Sequence, residues 1–313
     1  MLGNILNTKA FAWNILIAAT TFVLLVTFSS LSRADSSSIN PIQKTDSSQS
    51  LVWKITGPEV SEPSYLAGTI HVICNKDFTL DQRFVDGINN TEQLVGEIDM
   101  DDKAEKQIMH KAMFSDVSLK ERMSKPQYQQ FEELFNDITG MKLDKFDYMS
   151  VFSLMRLMTI SQFQCAQRTS IEKEILQLAK KNNKEVLGLE KVADQLRAFE
   201  KMTPQYGDLL SSKQVALYKK GAEQTQKLLD LYFSEDTEEL FNYTSHSFDD
   251  MGVDKEVKRE LLDKRNKSWA KKIPSIIAKK PTFIAVGAGH LGGKQGVIQL
   301  LRDRGLTLTP VAK

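Results

Sequence analysis

Cysteine, histidine and net charge are the scarce commodities in this chain of 313 residues. Two cysteines exclude a disulfide-stapled miniprotein, a cysteine-rich zinc module and an iron–sulfur framework. Any metal would therefore have to be held mainly by histidine and carboxylate. The 41 basic residues are matched by 40 acidic ones, which argues against a nucleic-acid or polybasic membrane binder, because neutralising many phosphates needs a clear excess of cations. Glycine, at 16 residues, is too scarce for a collagen-like or linker-dominated chain. A composition of 41% hydrophobic and 26% charged residues is that of a globular protein. No Gly-x-Ser-x-Gly sequence is present, so the usual serine-hydrolase elbow is missing.

Long hydrophobic runs are also rare, and the one that exists is N-terminal. Lys9 precedes an apolar stretch from Ala10 to Phe28, and Ser32-Arg33-Ala34 puts small residues at −3 and −1 of a cleavage point before Asp35, the pattern of a secretory signal. An uncleaved membrane anchor is the alternative, because about 20 apolar residues can span a bilayer. The expected organisation is a signal peptide over 1–34, a flexible polar leader over 35–50 and a single domain over 51–313 with a helical middle region of about 101–280. Residues 1–34 hold two of the 41 basic residues and no acid, so cleavage leaves 39 basic against 40 acidic residues and a formal charge of −1. Export also changes the reading of Cys74 and Cys165. In an oxidising compartment two lone cysteines read as a disulfide, with buried free thiols as the alternative.

Strands are expected at both ends of the domain and helices between them. Leu51 to Thr56 alternates, and Gly57, Pro58 and Pro63 turn it into Ser64 to Ile70 as a hairpin. Gln93 to Ile98, Lys184 to Glu190, Thr282 to Gly287 and Leu306 to Val311 are further short strands. Helices are expected around Asp81 to Asn90, from Asp101 to about Gln167, after the N-cap Ser170, from Val192 to about Lys280 and from Gly293 to Arg304. Strands alternating with helices predict an α/β fold of α+β character, with a central mixed sheet built from two halves and flanked by helices.

The chemistry gathers at strand ends. Gly68-Thr-Ile-His71 follows one apolar strand and Gly287-Ala-Gly-His290 another. In each, glycine lets the backbone turn sharply or approach a ligand closely, and histidine is carried into the crevice where α/β sheets place ligands. Each histidine is otherwise a satisfied core residue. Glu97 lies within a strand and Glu190 closes one, and acids are seldom buried unless paired or metal-bound. They read as an ion pair or helix cap on one side, or as groups beside His71 and His290 on the other. Two imidazoles with carboxylates suit a borderline divalent ion. His110 and His246 sit in polar stretches and read as solvent-facing, and Arg156 as a buried cation paired to an acid or snorkelling outward.

Trp53-Lys-Ile-Thr-Gly57, Tyr65-Leu-Ala-Gly-Thr-Ile-His-Val72, Val95-Gly-Glu-Ile-Asp99, Gly188-Leu-Glu190 with Asp194-Gln195-Leu196, Arg265-Asn266, and Phe283-Ile-Ala-Val-Gly-Ala-Gly-His-Leu-Gly-Gly293 together resemble the TraB/GumN family, which is related to the TIKI metalloproteases. The resemblance runs in order from about residue 51 to 311. It implies a fold of the erythromycin-esterase/ChaN-like type in which both GxxH motifs meet at one cleft, and a divalent-metal-dependent, peptidase-like activity. It implies Mn, Co or Zn held by His71, His290 and Glu97, with Glu97, Glu190, Arg265 and Asn266 as catalytic candidates. Arg265 is otherwise an exposed helix residue and Asn266 the N-cap of a helix beginning at Lys267. Cys74, three residues after His71, is alternatively a nucleophile or soft ligand. The expected partner is a peptide or small-molecule substrate, with no nucleic acid, and a membrane only if the signal segment stays uncleaved. The rival reading is a non-catalytic protein that binds or sequesters a peptide in the same cleft.

Overall fold

The computed structural model describes residues 49–75, 78–202 and 210–313. The expected signal peptide and nearly all of the leader lie outside these residues. Eight strands are described: β1 Val52–Thr56, β2 Ser64–Thr69, β3 Ile73–Cys74, β4 Gln93–Ile98, β5 Arg168–Thr169, β6 Glu185–Glu190, β7 Thr282–Gly287 and β8 Thr307–Pro310. Six form one mixed sheet in the order β6-β4-β7-β2-β1-β8, and β3 pairs with β5 in a second, two-stranded sheet.

The expected hairpin is present, with β1 antiparallel to β2, and β8 antiparallel to β1 on the far side. The four strands β6, β4, β7 and β2 run parallel. All six residues of β7 are buried, as befits a central parallel strand covered on both faces. Its side chains divide between two cores by strict alternation. Ile284 and Val286 join Trp53, Trp269, Ile273 and Leu301 on one face. Phe283 and Ala285 join Phe84, Ile88, Leu94 and Ile175 on the other. Burying each of the valine, leucine, isoleucine and phenylalanine side chains among them contributes about 1.5–3 kcal/mol.

The middle region adds separate helical cores. The helical stretch expected from Asp101 to about Gln167 consists of several separate helices. Ser118 and Ser150 each start a new helix by accepting from a backbone N–H of the following turn, because local side-chain caps satisfy donors that a helix end leaves unpaired. The Val151–Ser161 helix buries Leu154, Met155, Leu157 and Met158, as its apolar run predicts. The C-terminal helix is shorter than expected, covering Val297–Arg302. Among the described residues no helix is long and apolar enough to cross a membrane.

An ion-pair network ties the residues just before β1 and just after β8 to the helix at Arg83. Arg83 donates to Glu235 at 2.6 Å and to Asp81 at 2.6 Å, and also reaches the Ser50 hydroxyl and the Val311 carbonyl. Glu235 accepts from the Leu51 N–H as well.

Candidate active site

The four parallel strands end at the same edge of the sheet, where α/β folds place their ligands. There β6 delivers Glu190, β4 delivers Glu97, β7 leads into Gly287 to His290, and β2 into Thr69 to His71. In the register, Thr69 lies opposite Gly287 and Ile98 opposite Glu190. The two GxxH motifs are thus side by side on neighbouring strands. Two glycines let the backbones close up. A Cβ at Gly68 would come within 2.7 Å of Leu291 and 3.1 Å of Ala288, and one at Gly289 within 2.5 Å of the Thr244 hydroxyl. In the second motif the crowded glycine is therefore Gly289; Gly287 serves through its N–H, which donates to Glu97 Oε1 at 2.8 Å.

Arg265 is the hub. It and Asn266 are buried at the start of the Arg265–Ile277 helix, directly after a π-helical turn over Glu260–Lys264; such turns often occur at functional sites. Its Nη2 donates to Glu97 Oε2 and to Glu190 Oε1, each at 2.7 Å, and its Nε donates to Glu190 Oε1 at 2.9 Å. The guanidinium lies 4.7 Å from the Trp269 ring centroid. Gln195 donates to both carboxylates, and the Trp269 indole N–H donates to Glu190 Oε2. Burial works against the Arg265 charge, but Glu97 and Glu190 outweigh it and raise its pKa. Arg265 is thus not an exposed helix residue.

Asn266 is not an N-cap either. Its Nδ2 donates to the Gln295 carbonyl at 2.8 Å, which leaves Oδ1 to accept from His290 Nδ1 at 2.6 Å. That fixes the neutral tautomer, with the proton on Nδ1 and Nε2 accepting from Arg265 Nη1 at 3.3 Å. Burial, then the Arg265 cation, then His71 hold the His290 pKa well below the ordinary histidine value. Glu190 does not cap the helix that follows it. The Val192 N–H donates instead to Glu105 Oε2 at 2.7 Å.

His71 has a different partner, one the sequence pattern did not single out. Its Nδ1 is 2.6 Å from Glu172 Oε1, on the first turn of the Ile171–Lys181 helix capped by Ser170. Burial opposes charge on His71, yet Glu172 and then Glu97 raise its pKa above the ordinary value, against a smaller push from Arg156. Burial likewise opposes charge on Glu172, and His71 outweighs it to hold that carboxyl below its ordinary value. Arg156 is buried, with its Nε and Nη2 unpartnered, so it neither pairs with an acid through these atoms nor snorkels out. Burial lowers its pKa to about 9. Glu172, Gln195 and Trp269 complete the site. Gln195 lay within a recognised motif, but nothing in the local pattern marked Glu172 or Trp269.

His71 stands between two spaces. Inward is a chamber of about 60 Å³ lined by Thr69, Glu97 and Glu172 among others. Outward is a cleft of about 640 Å³ between the His71 segment, β5 and the middle helices. The disulfide Cys74–Cys165 ties the His71 loop to that cleft's rim, so Cys74 is neither a nucleophile nor a soft ligand. His110 and His246 are exposed, as expected.

The donors expected for a divalent ion do not fit one as they stand. Glu97 is taken by the Gly287 N–H, Arg265 and Gln195, and His290 Nε2 faces a guanidinium that repels cations. With His71 protonated, the charges of His71, Arg156 and Arg265 balance those of Glu97, Glu172 and Glu190, leaving no negative excess to attract a metal. Among the described residues no group of three or more His, Cys, Asp or Glu is arranged to hold a metal.

Comparison with known proteins adds two findings. The model of the TraB/PrgY/gumN family matches residues 51–310. Metalloprotease TIKI2 of Danio rerio is 30% identical over 84 residues, which cover 24% of this chain and 16% of that protein's length. No solved structure matches significantly.

Proposed function

We propose that the chain, which belongs to the TraB/PrgY/gumN family over residues 51–310, is an exported hydrolase of peptide bonds that works through the His71–Glu172 pair. The supporting observation is a histidine held at 2.6 Å by a carboxylate where a small chamber meets a larger cleft. The partial similarity to a protein named a metalloprotease supports hydrolysis as the reaction class. In this reading Glu172 orients His71 through Nδ1, and Nε2 takes a proton from water as the hydroxide adds to the peptide carbonyl. The same proton then passes to the leaving amine. Arg265, Glu97, Glu190 and Asn266 act as positioning residues that hold the strand ends and His290. No step is routed through a metal, because the donors expected for it are engaged by Arg265, Asn266 and Glu172. The disulfide supports an oxidising compartment and hence export.

The test is hydrolysis of a mixed peptide pool by the purified protein, read by mass spectrometry, with chelator and with Mn, Co or Zn. His71→Ala abolishes cleavage, and Glu172→Gln lowers kcat by up to about 10²–10⁴ fold, the range for losing acid–base support. A base must be unprotonated, so the rate rises with pH through the His71 pKa. Without Glu172, burial outweighs the remaining upward pull of Glu97, and that rise moves to lower pH. Cleavage indifferent to His71→Ala overturns the reading. A specific observation favours one competitor, a non-catalytic peptide-binding protein. Arg265 neutralises both strand-end carboxylates, and binding without cleavage under every metal condition would select it.

A further inference from the structure

The cleft outside His71 has a one-sided charge. Arg168 and Lys173 line it together with His71, and among the described residues that line it none is a carboxylate. The neighbouring acids turn elsewhere: Glu172 faces His71, and Glu174 accepts from the Thr169 hydroxyl at 2.7 Å. Lys173 makes no ion pair with any described residue. Arg168 donates from Nη2 to the Phe163 carbonyl at 2.7 Å, while its Nε is buried and unpartnered. Behind the wall, Arg156, whose Nε and Nη2 have no partner among the described residues, adds positive potential at His71. Arg168 and Lys173 are each half-buried, so an anion entering this cleft meets cations that are partly screened from water and have no described carboxylate beside them. The opposite wall is apolar, formed by Ile138, Met141, Leu157 and Ile160.

The position of Arg168 is fixed. It lies on β5 opposite Cys74 in the β3 pairing, and the Cys74–Cys165 disulfide closes that ladder. The Asn75 N–H extends it by donating to the Gln167 carbonyl at 3.0 Å. The guanidinium therefore sits on a strand covalently tied to the histidine loop.

We propose that this cleft selects peptides that carry a carboxylate, held by Arg168 and Lys173, and an apolar side chain set against the Ile138, Met141, Leu157 and Ile160 wall. The assignment rests on the peptide-cleft reading above and adds its substrate class. The carboxylate is that of an acidic side chain or of the peptide's own C-terminus, and both present the planar oxygens that a guanidinium fork matches.

The experiment is calorimetric titration of the full protein with four versions of the peptide Gly-Ala-Leu-Ala-Leu-Glu: with the final Glu or a Gln, and with a free or amidated C-terminus. The doubly neutral peptide binds about tenfold or more weakly than the doubly charged one, as expected for losing a charge-assisted hydrogen bond. The two singly charged versions identify which carboxylate is used. Arg168→Gln and Lys173→Gln each shrink the preference, and together they remove it; melting curves of each variant establish that it is folded, and Lys173→Gln on its solvent-accessible helix provides an independent reading. Equal affinity for charged and neutral peptides, a preference that survives in the double variant, or no binding by any of the four overturns the proposal. Preference without cleavage defeats only the hydrolase reading, whereas cleavage without charge preference defeats only this one.

Discussion

Arg265 touches both strand-end carboxylates, a neutral histidine and an indole face, so its removal leaves two buried acids facing each other. Arg265→Met is expected to cost about 3–5 kcal/mol, the range for stranding one side of a buried pair, and Glu97→Gln in that background restores part of it. Urea unfolding of the single and double variants measures both. His290 supplies a pH dependence. Its folded pKa lies well below the unfolded value of about 6.5, so below that pH the unfolded chain takes up a proton that the folded chain refuses. Stability then falls by about 1.4 kcal/mol per pH unit until the folded pKa is reached. His290→Asn flattens that slope in unfolding curves taken between pH 7 and 5, while an unchanged slope assigns it to other groups. At this scale the sequence marked His71, Glu97, Glu190, Arg265, Asn266 and His290 through their motifs. It did not mark Glu172, because a glutamate in the first turn of an amphipathic helix looks like any favourable helix-dipole charge. Only the packing of that helix against β4 and β6 brings it beside His71.

Short elements carry much of the architecture. The sheet ladder β3–β5 has two residues in each strand, too little to persist alone, and its anchor is the disulfide, whose cysteines are 91 residues apart. Closing a loop of that length in the unfolded chain stabilises the fold by about 2–4 kcal/mol in practice. Reductant, or the Cys74→Ser/Cys165→Ser variant, lowers the melting temperature accordingly, and hydrogen exchange rises first at β3 and β5. An unchanged melting point on full reduction would show the staple to be dispensable. The larger strands were legible, because alternation and β-branched runs report burial on one or two faces. The hairpin β1–β2 and the strands β4, β6 and β7 lie where the patterns put them. The middle region was not legible in the same detail. The apolar pattern from Asp101 to about Gln167 read as helical without showing where one helix stops and the next begins. A 3₁₀ turn over Leu143–Phe146 and a fresh start after Ser150 divide the stretch, since a serine cap competes locally with helix continuation.

At the scale of the molecule, one sheet sorts the chain into a scaffold and a working edge, with the helical middle region forming one wall of the outer cleft. If the segment 1–34 directs export, intact-mass spectrometry of protein from the producing cells finds a chain beginning at Asp35. A retained N-terminus in the membrane fraction would select the anchor. The sequence by itself determined the α/β class, the family, the two GxxH strands and the pairing of the only two cysteines. Each of these is written in periodicity, in motif order or in a count that leaves one choice. The tertiary structure alone decided which charges meet. Arg265 reaches Glu97 across 168 positions and Glu190 across 75, and His71 meets Glu172 rather than a ligand set shared with His290. Such pairings are set by strand register and helix docking, and no local pattern encodes the distance between two side chains brought together from opposite ends of a sheet.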